Sequence, residues 1–513
     1  MARPTRLLFL LNAFACAVFI HPAASAAADQ PNIVFVMADD VGLGDIGLYH
    51  RQRTGRDPVA PTPHLDALAT AGMRFSDAHS STALCSPTRY CVMSGNLNYR
   101  SYATWGVWGS FRPTPFTEDD ATLGRVAKSA GLATAFIGKW HLGGDFRTAA
   151  GEGVYRGNDR GDTPLPVDVS QIVAGGPQSV GFDSSYTLPC GIQGPLYVAY
   201  EDGRWSPFHE DSRLIHYTKA SALDPLFVSD KGPGMGDSHW DPSRVGPMLS
   251  SKATSFIREN ATAGRPFFLC YWSPMVHVPH APPEEFDGLR IRGVTPTRHL
   301  DMVLDLDQQI GRMVEALKDT GVYENTLFVF SSDNGGLIDR RGARAGHDSS
   351  GGYRGFKNDP HEGGHRVPLF ATWPGKIEPG AECHEPVVLH DMVATMAGVL
   401  GTRLRPEQAK DSLNLLPLLT GEGTLGERPD LLLQGGNQAV VMLRQGDWKL
   451  IIETNRKLTE WKPTELFNLA ESPLEPPSEN LINSPAHRDR IRQMLARYRE
   501  IRESGQRTAP LSM

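Results

Sequence analysis

Long runs of hydrophobic residues, each followed at once by polar residues, are the strongest pattern in this chain. Four of them occupy 31–38, 132–137, 266–272 and 325–331, and a fifth occupies 367–374. A continuous apolar run of this length is typical of a strand that is buried on both faces of a parallel sheet. We therefore predict an α/β fold with a large central, mostly parallel sheet flanked by helices.

Helical and irregular segments fill the rest of the pattern. Pro63 after Thr62 favours a helix start, and hydrophobic residues at helical spacing predict a helix over 300–320. The stretch 143–252 is rich in Gly, Pro and Asp, so we predict long loops there with one short strand at 194–200. Towards the C-terminus, a hairpin at 440–452, a strand at 465–469 and a charged helix at 487–503 predict a smaller α+β unit.

The first 26 residues have the pattern of a secretory signal. Arg3 and Arg6 precede an apolar run, and Ala24-Ser25-Ala26 offers small residues for cleavage. The run is shorter than the roughly 20 residues that a membrane span needs. We predict a signal peptide over 1–26, a catalytic domain over 27–425 and a C-terminal subdomain over 426–513. The mature protein is expected to be periplasmic or secreted, with no transmembrane segment.

Composition narrows the class of protein. The 513 residues are 40% hydrophobic and 21% charged, as in ordinary globular proteins. A formal charge of −7 argues against nucleic acid as a partner, although a local basic pocket can still bind an anionic substrate. Of the six cysteines, Cys16 lies in the predicted signal and Cys85 is a candidate for modification. The other four, at 91, 190, 270 and 383, are too few and too scattered for a disulfide framework, allow one or two bridges and lack the spacing of zinc ligands.

Candidate chemistry begins with Cys85, Pro87 and Arg89, at the front of a helix-like run that ends at Gly95. Proline suits the first turn of a helix, so Cys85 is predicted near a helix N-terminus, where free N–H groups favour an anion. Arg89 adds a fixed charge one turn along. On these residues alone, Cys85 is either a packed side chain or an activated thiolate nucleophile.

Polar residues follow each of the first four hydrophobic runs. They are Asp39 and Asp40, then Lys139 and His141, then His277, then Asp333 and Asn334. The carboxyl ends of parallel strands form one edge, so these side chains are expected to converge. Taken singly, the carboxylates fit either a solvated loop or a site for Ca²⁺ or Mg²⁺, and the basic residues fit either packing or anion binding.

Several of these motifs resemble the signatures of formylglycine-dependent sulfatases, the arylsulfatase type of the alkaline-phosphatase-like superfamily. The resemblance runs roughly from 31 to 482 and includes Cys85-x-Pro-x-Arg89, Gly138-Lys-Trp-His141 and Arg354-Gly-x-Lys357. It implies that a formylglycine-generating enzyme oxidises Cys85 to formylglycine, whose hydrate attacks sulfur. It also implies one divalent cation, expected to be Ca²⁺, on Asp39, Asp40, Asp333 and Asn334.

The remaining catalytic roles also come from the resemblance. Arg89, Lys139 and Lys357 are expected to neutralise the sulfate. His277, with Lys357, is expected to protonate the leaving oxygen, and His141 to take a proton from the second hydroxyl of the hydrate.

The predicted activity is sulfuric ester hydrolysis on a sulfated small molecule or sugar. Gly364-His-Arg-Val-Pro368 resembles bacterial polysaccharide sulfatases, and the candidate substrate contacts are His347, Arg354 and His361. Two alternatives stand beside it: a phosphate or phosphonate ester hydrolase of the same superfamily, and a non-catalytic carbohydrate-binding relative. No second His/Asp set follows the strands to hold a second metal.

Overall fold

The computed structural model describes residues 1, 30–425, 428, 430–437, 439–455 and 457–509, so the predicted signal peptide lies outside the described residues except for Met1. The strands are β1 Asn32–Ala38, β2 Met73–Phe75, β3 Ala78–His79, β4 Ala133–Lys139, β5 Arg147–Thr148, β6 Val167–Asp168, β7 Ser184–Leu188, β8 Leu196–Tyr197, β9 Ala199–Glu201, β10 Arg204–Ser206, β11 Leu214–Tyr217, β12 Gly234–Asp237, β13 Phe267–Trp272, β14 Glu285–Phe286, β15 Leu289–Arg290, β16 Thr326–Ser332, β17 Leu369–Thr372, β18 Ala381–Cys383, β19 Val387–Val388, β20 Leu431–Gln434, β21 Val440–Gln445, β22 Trp448–Thr454 and β23 Trp461–Asn468.

The helices surround these strands. They are α1 Gly47–Thr54, α2 Pro63–Ala71, α3 Cys85–Ser94, α4 Leu123–Ser129, α5 Val245–Thr262, α6 Arg298–Asp319, α7 Arg340–Arg344, α8 Glu362–His365, α9 Met392–Val399, α10 Leu416–Leu419 and α11 Arg488–Ser504. None of the helices in the described ranges combines the length and apolar character that a membrane crossing requires.

A ten-stranded sheet forms the centre of the protein, in the order β10-β9-β7-β4-β13-β1-β16-β17-β2-β18. The five adjacent strands from β7 to β16 pair in parallel. Antiparallel partners, β9 and β17, flank them. The predicted fold class, a large and mostly parallel sheet with helices, is confirmed.

Strand β1 shows why the hydrophobic runs are continuous. Phe35 and Met37 join one hydrophobic cluster with residues of α3, α4 and α9. Val34 and Val36 join a second cluster with residues of α2, α5 and α6. Because both faces of the strand are covered, no position in the run can be polar without a buried partner.

The prediction of long loops over 143–252 is partly wrong. That stretch contains the short strands β5 to β12, and its end belongs to α5. Val245, Leu249, Ala253 and Ile257 recur every four residues and are fully buried, which is the stripe of a packed helix. Gly246 and Pro247 in the first turn give the segment the composition of a loop.

A separate antiparallel sheet, β20 to β23 in sequential order, forms most of the C-terminal region. Leu443 and Leu450 on one face pack with Tyr498 of α11, whereas Met442 and Ile451 on the other face pack with Val388 of the preceding region. The predicted hairpin, strand and helix are therefore present. The sheet begins at Leu431, and the domain boundary at 426 stays a prediction.

Asp305 on α6 gives a testable pH dependence of stability. Its carboxylate accepts one bond from Gln309 Nε2 at 3.0 Å, its Oδ2 has no partner among the described residues, and burial raises its pKa to about 7. The folded state therefore holds this proton more tightly, so stability falls as pH rises from about 4 to 7. We expect Asp305→Asn to be more stable than the wild type at pH 8, by on the order of 2 kcal/mol, and to lose that advantage near pH 4.

Thermal unfolding midpoints at both pH values test this expectation. Asp301→Asn on the same helix is the control, because Asp301 accepts N–H bonds from Gly293 and Thr295, and its amide should lower the midpoint at both pH values. An Asp305→Asn midpoint below the wild type at pH 8 would contradict the prediction.

Candidate active site

The four predicted metal ligands meet at the carboxyl ends of β1 and β16. These strands pair in parallel, with Ala38 opposite Ser332, so the residues that follow them lie side by side. The Asp40 N–H donates to Asp333 Oδ1 at 3.2 Å, and Asn334 Nδ2 donates to Asp40 Oδ1 at 2.8 Å. Asp39 precedes them on the same edge and is fully buried.

Three cations match these three carboxylates. Lys139 Nζ lies 2.6 Å from Asp39 Oδ2, and Arg89 Nη2 lies 2.5 Å from Asp333 Oδ2. Lys357 Nζ lies 2.7 Å from Asp40 Oδ1. The six charges cancel formally, so a divalent cation added here would leave the site positive and receptive to an anionic substrate.

The oxygen atoms of the cluster fit a hard cation. Asp39 Oδ1 and Asn334 Oδ1 are buried and find no hydrogen-bond partner among the described residues. Buried acceptors of this kind are rare unless something else satisfies them. Ligating atoms of Asp39, Asp40 and His277 lie within 4.8 Å of one another, as do those of Asp39, Cys85 and Asp333. Carboxylate and amide oxygens select Ca²⁺ or Mg²⁺.

Cys85 is the first residue of α3 and faces this cluster. Its Sγ lies 3.4 Å from His141 Nδ1, and the neighbouring Ser86 hydroxyl donates to the His141 carbonyl at 2.8 Å. His141 and Asp40 both have left-handed backbones, with φ of 57° and 66°. Non-glycine residues rarely adopt that conformation, and such strain is concentrated at functional sites.

The environment of Cys85 disfavours the thiolate form of its side chain. Burial raises the pKa of its thiol even though Lys139 and Lys357 lie nearby. Burial, with help from Lys139, lowers the pKa of His141 well below its usual value, so the imidazole is neutral and can accept a proton. An unmodified Cys85 is therefore poorly suited to act as a thiolate nucleophile.

His277 and Lys357 lie on the same carboxylate. His277 Nε2 is 3.8 Å from Asp40 Oδ2, and its Nδ1 lies 2.8 Å from the Val278 carbonyl, which assigns the ring proton to Nδ1. Burial and the Lys357 charge lower the pKa of His277 to about 4. Burial opposes protonation of Lys357, but Asp40 outweighs it and raises the Lys357 pKa. Lys357 therefore holds the proton in this pair.

A cavity of about 450 Å³ opens above Cys85. Its lining is polar and carries no aromatic side chain: Asp40, Leu84, Cys85, Val107, Gly109, His141, Asp159, Arg160, Cys190, Gln193, Gly194, Pro195, Asp230, Lys231, His277, Val278, Leu337, Lys357, Asn358 and Asn437. Arg89 and Lys139 are fully buried and are absent from this lining. In this geometry these two cations contact the carboxylates through buried side chains that do not form part of the cavity wall.

The three candidate substrate contacts are not brought to the cavity. His347 Nε2 lies 2.8 Å from Asp45 Oδ1, inside the loop that follows β1. Arg354 and His361 both pair with Glu465 of β23, at 3.1 Å and 3.2 Å. Their side chains are engaged in holding loops and the C-terminal sheet, and none of the three is among the residues that line the cavity.

No sequence pattern indicates that the other lining residues belong to the site. Asp159, Arg160, Gln193 and Lys231 lie in the stretch 143–252, which is predicted as loops, and Asn437 lies between two strands of the C-terminal sheet. Only tertiary structure brings these segments to Cys85. Asn358 differs from these residues, because it directly follows Lys357, which the sequence predicts to be catalytic.

Fold and geometry together define an α/β protein in which a buried cluster of carboxylates and cations lies beside Cys85, at the carboxyl edge of a mostly parallel sheet. The sulfatase family model matches residues 31–402. The chain belongs to the sulfatase family, whose members are sulfuric ester hydrolases.

Named relatives and solved structures agree with this assignment. The chain is 28% identical to an N-acetylgalactosamine-6-O-sulfatase of Bacteroides thetaiotaomicron, covering 86% of each chain. It is 30% identical to arylsulfatase A of Bos taurus, covering 90% of this chain and 85% of the relative. A solved Bacteroides thetaiotaomicron sulfatase, described with the metabolism of multiple glycosaminoglycans, superposes with a TM-score of 0.76 at 25% identity, covering 92% and 99%.

Proposed function

We propose that this chain is an exported sulfatase that hydrolyses a sulfate ester of a carbohydrate, with a formylglycine made from Cys85 as nucleophile. One observation carries the proposal: the Cys85 side chain lies beside a neutral His141 and a buried cluster of three carboxylates and three cations. The basic start, apolar run and small residues of 1–26 support export.

Residue 85 and His141 form the nucleophilic half of the site. Formylglycine supplies a hydrated aldehyde, in which one hydroxyl attacks sulfur and the second later allows sulfate to be expelled. His141 Nδ1, 3.4 Å from the side chain at 85, takes the proton of that second hydroxyl. Its lowered pKa keeps the accepting nitrogen free at neutral pH.

Asp39, Asp40, Asp333 and Asn334 hold the cation, for which we propose Ca²⁺. When bound, the ion acts as a Lewis acid that acidifies a hydroxyl and polarises a sulfate oxygen. Lys139 and Arg89 hold Asp39 and Asp333 in place, since each contacts its carboxylate within 2.6 Å. Lys139 favours the ionised form of Asp39, whereas burial and the Asp39 charge raise the Asp333 pKa to about 7 against the opposing charge of Arg89. We propose that both cations also neutralise the sulfate through the charge that they place beside the cluster.

Lys357 and His277 form the leaving-group half of the site. Both line the cavity and both face Asp40. Lys357 Nζ donates to Asp40 Oδ2 at 2.9 Å, and His277 Nε2 lies 3.8 Å from the same oxygen. Lys357 carries the proton and the positive charge that a departing alkoxide needs, and His277 relays a proton to the leaving oxygen.

The cavity itself favours a sugar over a sterol or aryl group. Its walls offer carboxylates, a guanidinium, an ammonium and amides, and these groups bind hydroxyls through directed hydrogen bonds. An apolar leaving group offers these groups no hydrogen bonds, and for the buried Gln193 amide an unpaired state costs about 1–3 kcal/mol.

A phosphate or phosphonate ester hydrolase is the second candidate reaction. In the described ranges, two further groups of metal-ligating side chains exist, His79 with Glu362 and His365, and His209 with Asp211 and His239. Neither contributes a residue to the cavity, so nothing described here supports a second catalytic metal.

Kinetics on matched esters test the proposed function. We expect kcat/KM for 4-nitrophenyl sulfate to exceed that for 4-nitrophenyl phosphate by at least about 100-fold, because the singly charged ester matches a one-metal site. The enzyme should be produced together with a formylglycine-generating enzyme. A preference for the phosphate would assign the chain to the second reaction, and inactivity on these esters and on every sulfated sugar tested would support a non-catalytic relative.

A further inference from the structure

We propose that Gln193 recognises a hydroxyl of the substrate next to its sulfate ester and thereby selects sugar sulfates. This inference rests on the proposed function and deepens it, because it names the group that distinguishes one class of sulfate ester from another. It assigns a specificity role to a residue of the region between β7 and β8.

The observation behind it is an unpaired acceptor in the cavity wall. Gln193 is only 1% exposed, yet its Oε1 finds no hydrogen-bond donor among the described residues. The same residue lines the cavity with Cys85, His141 and Lys357. A buried amide oxygen without a donor is destabilising, and a hydroxyl that a substrate brings into the cavity would supply the missing donor.

Neighbouring glycines explain how the amide reaches this position. Gly191 has a φ of 82°, and a Cβ there would lie 2.7 Å from Lys139 Cδ and 2.8 Å from Gln193 Oε1. Gln193 Oε1 and the Lys139 stem therefore both lie close to Gly191, and Lys139 in turn binds Asp39. Any larger residue at 191 would separate them.

The turn that follows keeps the amide in place. Gly194 has a φ of 76°, and a Cβ there would lie 2.2 Å from the ring of Tyr197, which is fully buried. Gln193 therefore lies between two glycines, Gly191 and Gly194, whose backbones pack closely against neighbouring side chains. A fixed acceptor in the wall of the cavity that holds Cys85 can select for a hydroxyl on a carbon near the ester oxygen.

The chemistry predicts the direction of selectivity. A sugar sulfate brings hydroxyls close to the ester and can donate to Gln193, whereas an aryl sulfate has none to offer. A site built to bind a hydroxyl discriminates strongly against an analogue that lacks it, because its own polar group then stays unpaired. Removing the acceptor should therefore harm sugar sulfates and spare aryl sulfates.

The test compares the wild type with Gln193→Met, which keeps the length of the side chain and removes both polar atoms. Gln171→Met, an exposed glutamine of the same region that is absent from the cavity lining, is the matched control. The probes are 4-nitrophenyl sulfate and a panel of N-acetylgalactosamine 6-sulfate, galactose 6-sulfate and glucosamine 6-sulfate. Thermal midpoints of all three proteins are measured alongside kcat and KM.

We expect Gln193→Met to lose about 10- to 100-fold in kcat/KM on the sugar sulfate that the wild type prefers. On 4-nitrophenyl sulfate it should stay within about threefold of the wild type, with an unchanged or higher midpoint. Equal losses on both esters, or no loss on either, would overturn the inference.

Two further outcomes separate this inference from the proposed function. If the wild type hydrolyses 4-nitrophenyl sulfate but no sugar of the panel, the role of Gln193 is refuted while sulfatase activity stands. If the wild type hydrolyses neither 4-nitrophenyl sulfate nor any sugar of the panel, the proposed function is wrong, and the inference that rests on it is wrong as well.

Discussion

Cys85→Ala should lower kcat/KM for sulfate esters by at least about 10⁴-fold while leaving the fold intact. Within the described part of the chain, the Cys85 side chain has one polar contact, with His141, so its loss removes the nucleophile and little else. Cys85→Ser should also fail to turn over, because a single hydroxyl has no second hydroxyl to expel the sulfate. The measurement is steady-state and burst kinetics on 4-nitrophenyl sulfate.

Cys91→Ala is the matched control for this experiment. Cys91 lies on the same helix, is fully buried and belongs to the hydrophobic cluster on one face of the central sheet. Its truncation should cost stability by about 1 kcal/mol and leave kcat within a fewfold of the wild type. A Cys85→Ala protein with more than a few per cent of wild-type activity would show that residue 85 is not the nucleophile.

Asp39→Asn should abolish stabilisation by Ca²⁺ and reduce kcat by about 100- to 1000-fold. Asp39 contributes a buried oxygen without a partner and is the carboxylate that pairs with Lys139. Its amide removes one charge from the cation site and leaves Lys139 without its anion. The apoprotein should therefore also unfold at a lower temperature than the wild type.

Thermal unfolding in chelator and after adding back Ca²⁺ or Mg²⁺ measures this effect. A ligand at 100 times its Kd stabilises the wild type by about 2.7 kcal/mol, and Asp39→Asn should show no such gain. Asp211→Asn, in the exposed group with His209 and His239, controls for cation binding elsewhere and should keep the gain. An equal rise for Asp39→Asn would contradict the proposed ligand set.

Much of the fold could be predicted because parallel strands at the centre of a sheet leave a long hydrophobic run in the sequence. The runs that became β1, β4, β13 and β16 also placed the polar residues at one edge, and the structure brings Asp39, Asp40, Asp333 and Asn334 together there. Short strands such as β5 and β6 have only two residues and leave no periodic signal.

The substrate side of the site could not be predicted in the same way. Residue type and a glycine-rich loop make His347 and His361 candidate substrate contacts, but a sequence does not show which way a loop side chain points. Asp45 and Glu465 engage them instead. Gln193 lies in an irregular stretch, and only the burial of its unpaired oxygen distinguishes it from other glutamines.

The mass of the tryptic peptide spanning 75–89, from protein produced with a formylglycine-generating enzyme, tests the proposed nucleophile most directly. The proposed function predicts a peptide lighter than the thiol form that reacts with a hydrazide probe at residue 85. An unmodified Cys85 in fully active protein would contradict it, because the nucleophile would then be the thiol itself or a different group.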